Sequence, residues 1–229
     1  MDNHPSLELT ILMPCLDEEK TVGACVDAAM GYLKASGCRG EVLVCDNGST
    51  DNSVSVAEAH GARTVLCPDR GYGCALRHGM NHARGAYIIM GDSDMSYDFS
   101  SIGDMHRLLL GGADLVIGNR FHTPPRPDTM PLSHRIGAPL LSRIARLRFG
   151  CDVLDFHCGL RGISAKALSR LDLSCTGMEF ATEMIMKAHR KNLRIAQTPV
   201  ILHPDGRSGP SHLRTIRDGL RHLLLILHG

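Results

Sequence analysis

The stretch AYIIMGDSDMSYDF, Ala86 to Phe99, is an apolar run ending in two aspartates, Asp92 and Asp94, one residue apart. A run this short and apolar reads as a strand buried on both faces. Its polar tip has two readings. It is either an acidic turn at a strand end or a carboxylate pair that holds a hard divalent cation. Mg2+ or Mn2+ takes one or two carboxylates and completes its shell with water and phosphate oxygens. The segments on either side decide between the two.

Toward the N-terminus, LELTILMP (Leu7–Pro14), EVLVCD (Glu41–Asp46) and ARTVLC (Ala62–Cys67) read as three more strands, and ADLVIGNR (Ala113–Arg120) follows as a fifth. Helices fall between them. One starts at Thr21 and sets Val22, Cys25, Val26, Ala29, Met30 and Leu33 on a single face. Others are expected through Ser53–His60, from near Gly73, and over Ser100–Leu110. Strands and helices alternating at this spacing imply right-handed crossovers and a mostly parallel sheet covered on both faces. Ligands bind such a sheet at the carboxyl edge of its strands. Asp17-Glu18, Asp46-Asn47, Asp92/Asp94 and Asn119-Arg120 are the polar tips on that edge. Their convergence favours a binding site over an isolated acidic turn.

Beyond Phe121 the pattern changes. HTPPRPDTMP is a Pro-rich, lid-like loop, followed by helices over Arg135–Phe149 and Met178–Arg190 and by short strands near Cys158–Ser164 and Leu193–Val200. In the terminal SHLRTIRDGLRHLLLIL, Leu213, Ile216, Leu220, Leu223 and Leu227 share a face, with Arg214, Arg217 and Arg221 largely off it. Such a basic amphipathic helix either lies on an anionic membrane surface or docks on its own domain. No window approaches the ~20 apolar residues of a spanning helix.

The net charge of +1 conceals an asymmetry: residues 1–99 carry 7 Lys+Arg against 14 Asp+Glu, and the remainder carries 18 against 10. An acidic first half suits a divalent cation and a basic second half an anionic partner, although solvated surface charge gives the same split. The nine cysteines show no C-x-x-C pair or Cys/His run at zinc-ligand spacing, and read as reduced cytosolic thiols. A dinucleotide-binding fingerprint finds Gly71 and Gly73 in RGYGCALRHG, but Leu76 replaces its third glycine and it follows the third strand instead of the first. These glycines serve better as tight backbone at a helix start. No G-x-S-x-G or G-x-x-x-x-G-K-[ST] supports a serine hydrolase or a P-loop enzyme.

Four segments, ILMPCLDEEKTV, VLVCDNGSTDNS, RGYGCALRHGMNHARGAYIIMGDSDMSYDF and LVIGNRF, together resemble glycosyltransferase family 2. The likeness is to its bacterial branch similar to dolichyl-phosphate mannose or glucose synthases. HRIGAPLLS, DFHCGLRGIS, TGMEFATEM and HPDGRSGPSHLRTIRDGLRHL extend it over nearly the whole chain. The resemblance implies a GT-A fold: a Rossmann-like, mostly parallel sheet flanked by helices, with a smaller acceptor-side subdomain. It implies one domain over 1–229, with a nucleotide-sugar half (1–120), an acceptor half (121–206) and the basic helix (207–229). It also implies inverting transfer from a UDP- or GDP-sugar to a polyprenyl-phosphate-type acceptor at the inner membrane face. By motif, Pro14, Leu16 and Glu18 would line the nucleoside pocket, and Asp46 would accept from the base. Gly71 would belong to the donor site. Asp92, Asp94 and Ser96 would hold Mg2+ or Mn2+, although Ser96 stands where the branch often has Gln. Arg120, Arg135 and Arg207 would face phosphates or acceptor.

A polyprenyl phosphate is already anionic and needs no general base, whereas a hydroxyl acceptor does. Asp155, Glu179 and Glu183 are the candidate bases. Glu179 and Glu183 stand at i, i+4, a pattern that the acidic preference of a helix N-terminus also produces. His157 reads as a structural hydrogen bonder. Branch members commonly continue into transmembrane helices that this sequence does not show, which keeps two rivals open. One is a soluble tailoring transferase with a hydroxyl acceptor, and the other is a non-catalytic nucleotide-sugar-binding module at the membrane. An anionic membrane surface and a homodimer are partner classes left open; nothing calls for nucleic acid.

Overall fold

The computed structural model describes residues 7–122, 128–207 and 215–229. Seven strands form one sheet: β1 Leu7–Cys15, β2 Gly40–Asp46, β3 Arg63–Leu66, β4 Gly85–Met90, β5 Leu115–Asn119, β6 Arg161–Ser164 and β7 Ile195–Pro199. Their spatial order is β3-β2-β1-β4-β6-β5-β7. Every pairing is parallel except those of β6, which runs antiparallel to both β4 and β5. β1 is central. From Leu9 to Cys15 every residue is buried, because β2 and β4 flank it while helices cover the sheet. This is the continuous apolar run that a strand covered on both faces requires.

Among the described residues eight helices accompany the sheet: α1 Val22–Ser36, α2 Ser53–Ala59, α3 Tyr72–His82, α4 Gly103–Leu110, α5 Leu132–Phe149, the single turn α6 Ala165–Leu168, α7 Phe180–Arg190 and α8 Thr215–His228. A 3-10 turn, Phe99–Ser101, precedes α4. The expected α1 face packs as read, except that Met30 is exposed. α3 packs on β1 and β2, and α4 on β4, β5 and β6. α8 packs against α5 and α7, and α7 reaches α3, so these three helices form an annex joined to the sheet.

Two features depart from the simple alternation. The strand expected near Cys158–Ser164 inserts between β4 and β5, so sequence order is broken in the second half of the sheet. The register Met90↔Arg161 and Ile117↔Arg161 then brings the start of β6 to the same edge as the ends of β4 and β5. The buried face of α8 is carried by His222 and Ile226, while Leu220, Leu224 and Leu227 are exposed. The apolar face read from the sequence therefore looks outward at Leu220 and Leu227. Leu213, Arg214 and part of the Pro-rich loop (123–127) lie outside the described residues, as does the side chain of Ile216. No described helix is long and apolar enough to cross a membrane.

Candidate active site

The carboxyl ends of β1, β2, β4 and β5 share one rim, and four polar tips meet there because the strands are parallel and in register. At the end of β1 the backbone bends through Asp17, which adopts φ 55°. Its carboxylate accepts from Thr50 N–H at 2.7 Å. The bend turns Glu18 inward, where it is 4% exposed. Glu18 Oε2 accepts from Thr21 Oγ1 at 3.0 Å, and its other oxygen accepts from Arg207 Nε at 2.5 Å. Arg207 continues to Asp94, with Nη2 3.2 Å from Oδ2. One guanidinium thus bridges the tips of β1 and β4. Burial opposes its charge, but Asp94 and then Glu18 outweigh burial and raise its pKa. Burial is also the main cause that raises the Glu18 carboxyl above its usual range, with Arg207 opposing.

Asp92 lies on the other side of the same tip and accepts from Tyr72 Oη at 2.9 Å. Burial, reinforced by the charge of Asp94, pushes its carboxyl up to about 6. A Cβ at Gly159 would lie 2.6 Å from Asp92 Oδ2, so glycine there leaves the carboxylate its place. Two neighbouring carboxylates, closed in by a glycine and a tyrosine, form an all-oxygen donor set that fits a hard divalent cation. Asp92 and Asp94 are the residues that could hold such an ion. The Ser96 hydroxyl and N–H both donate to Asp94 Oδ1, so Ser96 orients that carboxylate.

Asp46 closes its own turn. Its carboxylate accepts from Gly48 N–H at 3.0 Å and from Ser49 N–H at 3.2 Å. Pro14 belongs to β1, with its carbonyl accepting from Ser93 Oγ at 2.8 Å; Leu16, half-buried, follows at the same tip. The Gly71 N–H is used by Asn47 Oδ1 at 2.7 Å. With φ +137° and Thr176 O 2.3 Å from where a Cβ would stand, Gly71 lets residues 175–177 close over the start of α3. It shapes the site and offers no free N–H to a phosphate.

On the β5 side, Arg120 and Asp155 form a two-pronged pair, Nε–Oδ2 2.7 Å and Nη2–Oδ1 2.9 Å, with the Asp155 side chain wholly buried. Burial would raise the Asp155 carboxyl, but Arg120 outweighs it and holds the group below the usual carboxylate range. Arg120 is therefore a fixed cation whose charge is also felt at Asp92. Burial, with Arg120 as the second cause, lowers His134 in the first turn of α5; Arg135 beside it is half-buried.

The candidate bases are engaged elsewhere. Glu183 accepts from the N–H groups of Ser174 and Cys175, both at 2.9 Å, and from Lys187 at 2.8 Å, and so clasps the loop before α7. Glu179 pairs with Arg221 of α8 at 2.7 Å and keeps one buried oxygen without a hydrogen-bond partner among the described residues. His157 packs edge-on against His222, ring centroids 4.5 Å apart, and burial holds it neutral, well below the ordinary histidine range.

Sequence reasoning passed over three residues of this region. Tyr72 orients Asp92, and the Tyr97 hydroxyl accepts from Gly159 N–H at 2.9 Å. Arg161, fully buried, donates to the carbonyls of Phe156, Cys158 and Ala181 and so shapes the loop that carries Asp155. The available signals were an aromatic between the two glycines of RGYG and a lone cation in the apolar GLRGI.

A mostly parallel sheet with a DxD tip and an inserted antiparallel β6 defines a nucleotide-sugar-type GT-A fold. The chain belongs to glycosyl transferase family 2, whose model matches residues 10–172. It is 37% identical over 221 residues to the low-salt glycan biosynthesis hexosyltransferase Agl6 of Haloferax volcanii, an alignment of 96% of this chain and 53% of Agl6. It therefore spans about half the length of that relative. The glycosyltransferase AglJ of the same organism is 30% identical over 91% of this chain and 67% of its own. Among solved structures, glucosyl-3-phosphoglycerate synthase from Mycobacterium tuberculosis, in complex with Mn2+, UDP-glucose and phosphoglyceric acid, superposes with a TM-score of 0.78. It covers 97% of this chain and 80% of that one at 23% identity, a likeness of fold.

Proposed function

We propose that the protein transfers a sugar from a nucleotide-diphosphate donor, with inversion, to an acceptor that presents a phosphate. The observation that carries this reading is the chain Glu18–Arg207–Asp94 beside Asp92, with fixed Arg120 across the rim. Departure of a nucleoside diphosphate places negative charge where cations are needed. Arg207 and Arg120 supply two of them. Mg2+ or Mn2+ held by Asp92 and Asp94 supplies Lewis-acid stabilisation of the diphosphate when bound. Pro14, Leu16, Glu18 and Asp46, on the tips of β1 and β2, belong to the nucleoside side. Mn2+ in the structure of the fold neighbour supports the metal assignment.

The engagement of the candidate bases favours such an acceptor. Asp155 is committed to Arg120 and Glu183 to its loop, so neither is placed to take a proton from a hydroxyl, and Glu179 is paired with Arg221 through one oxygen. An acceptor that is already anionic needs no base. A cleft of about 580 Å³ beside Asn119 and Phe121 has Arg143 and Arg146 in its walls together with Pro139 and Leu154. Its mixture of cationic and apolar lining suits a phosphate carried on an apolar chain, as in a polyprenyl phosphate. Leu132, Ile136 and Leu140 of α5, exposed at 67%, 62% and 56%, give that acceptor a membrane-facing side. A second reading, a small phosphorylated acceptor, is favoured by the phosphoglyceric acid in the fold neighbour.

The test is release of UDP or GDP from a panel of nucleotide sugars, with polyprenyl phosphate, phosphoglycerate or a neutral sugar as acceptor. Asp94→Asn is expected to lower turnover by at least ~100-fold with an unchanged circular dichroism melt. Full activity in excess EDTA would remove the metal from the reading, and turnover with neutral sugars alone would remove the phosphate acceptor.

A further inference from the structure

The edge of the sheet opposite the catalytic rim carries a second cluster with different chemistry. Glu8 at the start of β1, Cys38 in the turn between α1 and β2, and His106 in α4 bring a carboxylate oxygen, a thiol sulfur and an imidazole nitrogen within 4.8 Å of one another. β1 has nine residues, so at ~3.3 Å per residue this cluster lies roughly 25–30 Å from the DxD tip. We propose that Glu8, Cys38 and His106 form a structural Zn2+ site, independent of the catalytic cation.

The geometry behind this is specific. His106 is 5% exposed. Its Nδ1 lies 2.9 Å from Tyr32 Oη, while its buried Nε2 makes no hydrogen bond among the described residues. Glu8 Oε1 stands 3.3 Å from that nitrogen without the direction of a hydrogen bond. A buried polar atom is rarely left without a hydrogen bond, so this nitrogen, with a thiol and a carboxylate beside it, calls for a missing partner. With Nδ1–H donating to Tyr32, the Nε2 lone pair is free to bind a cation. This is the outer-shell arrangement that sets the tautomer of metal-binding histidines. The thiol is held in place by the backbone: Glu8 N–H donates to Arg39 O at 2.7 Å, which joins the start of β1 to the turn containing Cys38.

The donor set selects the ion. One sulfur, one nitrogen and one oxygen suit tetrahedral Zn2+ with three protein ligands and a fourth position for water. Mg2+ and Mn2+, which prefer oxygen, are drawn to Asp92 and Asp94 instead. Binding releases the thiol proton to solvent and forms a zinc–thiolate bond. It also clamps β1, the α1–β2 turn and α4 together. Glu8 also lies 3.3 Å from His106 and hydrogen-bonds Cys38, contacts that leave His106 Nε2 without a hydrogen bond among the described residues. No motif search finds this set, because its three ligands come from three separate elements.

Co2+ is the probe, because a tetrahedral Co2+–thiolate centre has visible d–d bands and a sulfur charge-transfer band. The full chain is stripped of metal, given excess Mg2+ to occupy the carboxylate rim, and titrated with Co2+ and then Zn2+. One equivalent of Co2+ is expected to develop both bands, and Zn2+ to bleach them. Cys38→Ser should abolish the charge-transfer band although eight cysteines remain, with donor turnover unchanged. Glu8→Gln should keep that band at weaker affinity, which separates loss of a ligand from loss of fold. Tyr32→Phe should weaken binding by ~10–100-fold. Absence of the bands from the wild type, or a charge-transfer band undiminished in Cys38→Ser, would overturn the site.

Discussion

The Arg120–Asp155 pair shows how a residue named as a base is better understood as a holder. Both side chains are nearly or fully buried, at 12% and 0% exposure, and share two hydrogen bonds. Removing one partner of such a pair leaves an uncompensated buried charge, at a cost of ~3–5 kcal/mol. Asp155→Asn is therefore expected to lower the unfolding free energy from urea titration by that much, with a lower urea midpoint, and to loosen Arg120, which a base-only role would not do. The pH dependence follows from the depressed carboxyl. Its stabilisation is complete above the unfolded carboxylate range, near pH 4, and is lost as pH falls through the lower folded value. The acid limb of a stability–pH curve should flatten below about pH 4 in Asp155→Asn. An unaltered urea midpoint together with an unaltered acid limb would count against the holder role.

At the scale of elements, the annex of α5, α7 and α8 rests on a polar seam. His222 of α8 bonds Thr182 Oγ1 of α7 at 2.8 Å and stacks edge-on against His157, which lies 3.3 Å from Ser142 Oγ of α5. Burial first, then the charges of Arg161 and Arg221, lower His222 to about 4. A histidine depressed in the fold contributes stability that is full above its unfolded pKa, near 6.5, and fades as pH falls toward 4. Thermal midpoints should therefore decline between pH 6.5 and 4, and His222→Gln should shallow that slope. Equal slopes would place the acid sensitivity elsewhere. This seam also marks where sequence reading stops. Strands β1 to β5 and helices α1 to α5 and α7 were legible because apolar period and turn chemistry are local. The insertion of β6 was not, because only tertiary pairing shows that a late strand fits between two earlier ones. Nor was the face of α8: helical period aligned its leucines, but the surfaces available on α5 and α7 chose His222 and Ile226 as the buried contacts. In the candidate site the acidic tips could be read one by one. The Glu18–Arg207 link spans 189 positions and had no local signal.

For the whole molecule, the charge asymmetry becomes spatial. The acidic half builds the rim of β1, β2 and β4, and the excess Lys+Arg of residues 100–229 falls largely on the elements around the annex. There, exposed Arg143 and Arg148 share α5 with exposed Leu132, Ile136, Leu140 and Leu147. A monomeric surface rarely shows so many large apolar side chains on one helix without a partner. Beside cations they fit an anionic bilayer, which adds electrostatic attraction to apolar burial. The chain is expected to co-sediment with vesicles containing phosphatidylglycerol and much less with purely zwitterionic ones. Binding should fall between 0.05 and 0.5 M salt because screening shortens the reach of the charges to below ~10 Å. The triple substitution Leu132→Ser, Ile136→Ser and Leu140→Ser removes only exposed side chains, so the fold should persist while the bound fraction drops. The variant should also lose turnover with long-chain polyprenyl phosphate in vesicles yet keep it with a short, water-soluble analogue, because the site itself is untouched. Equal losses on both substrates would mean that these side chains serve the fold and not the acceptor's membrane.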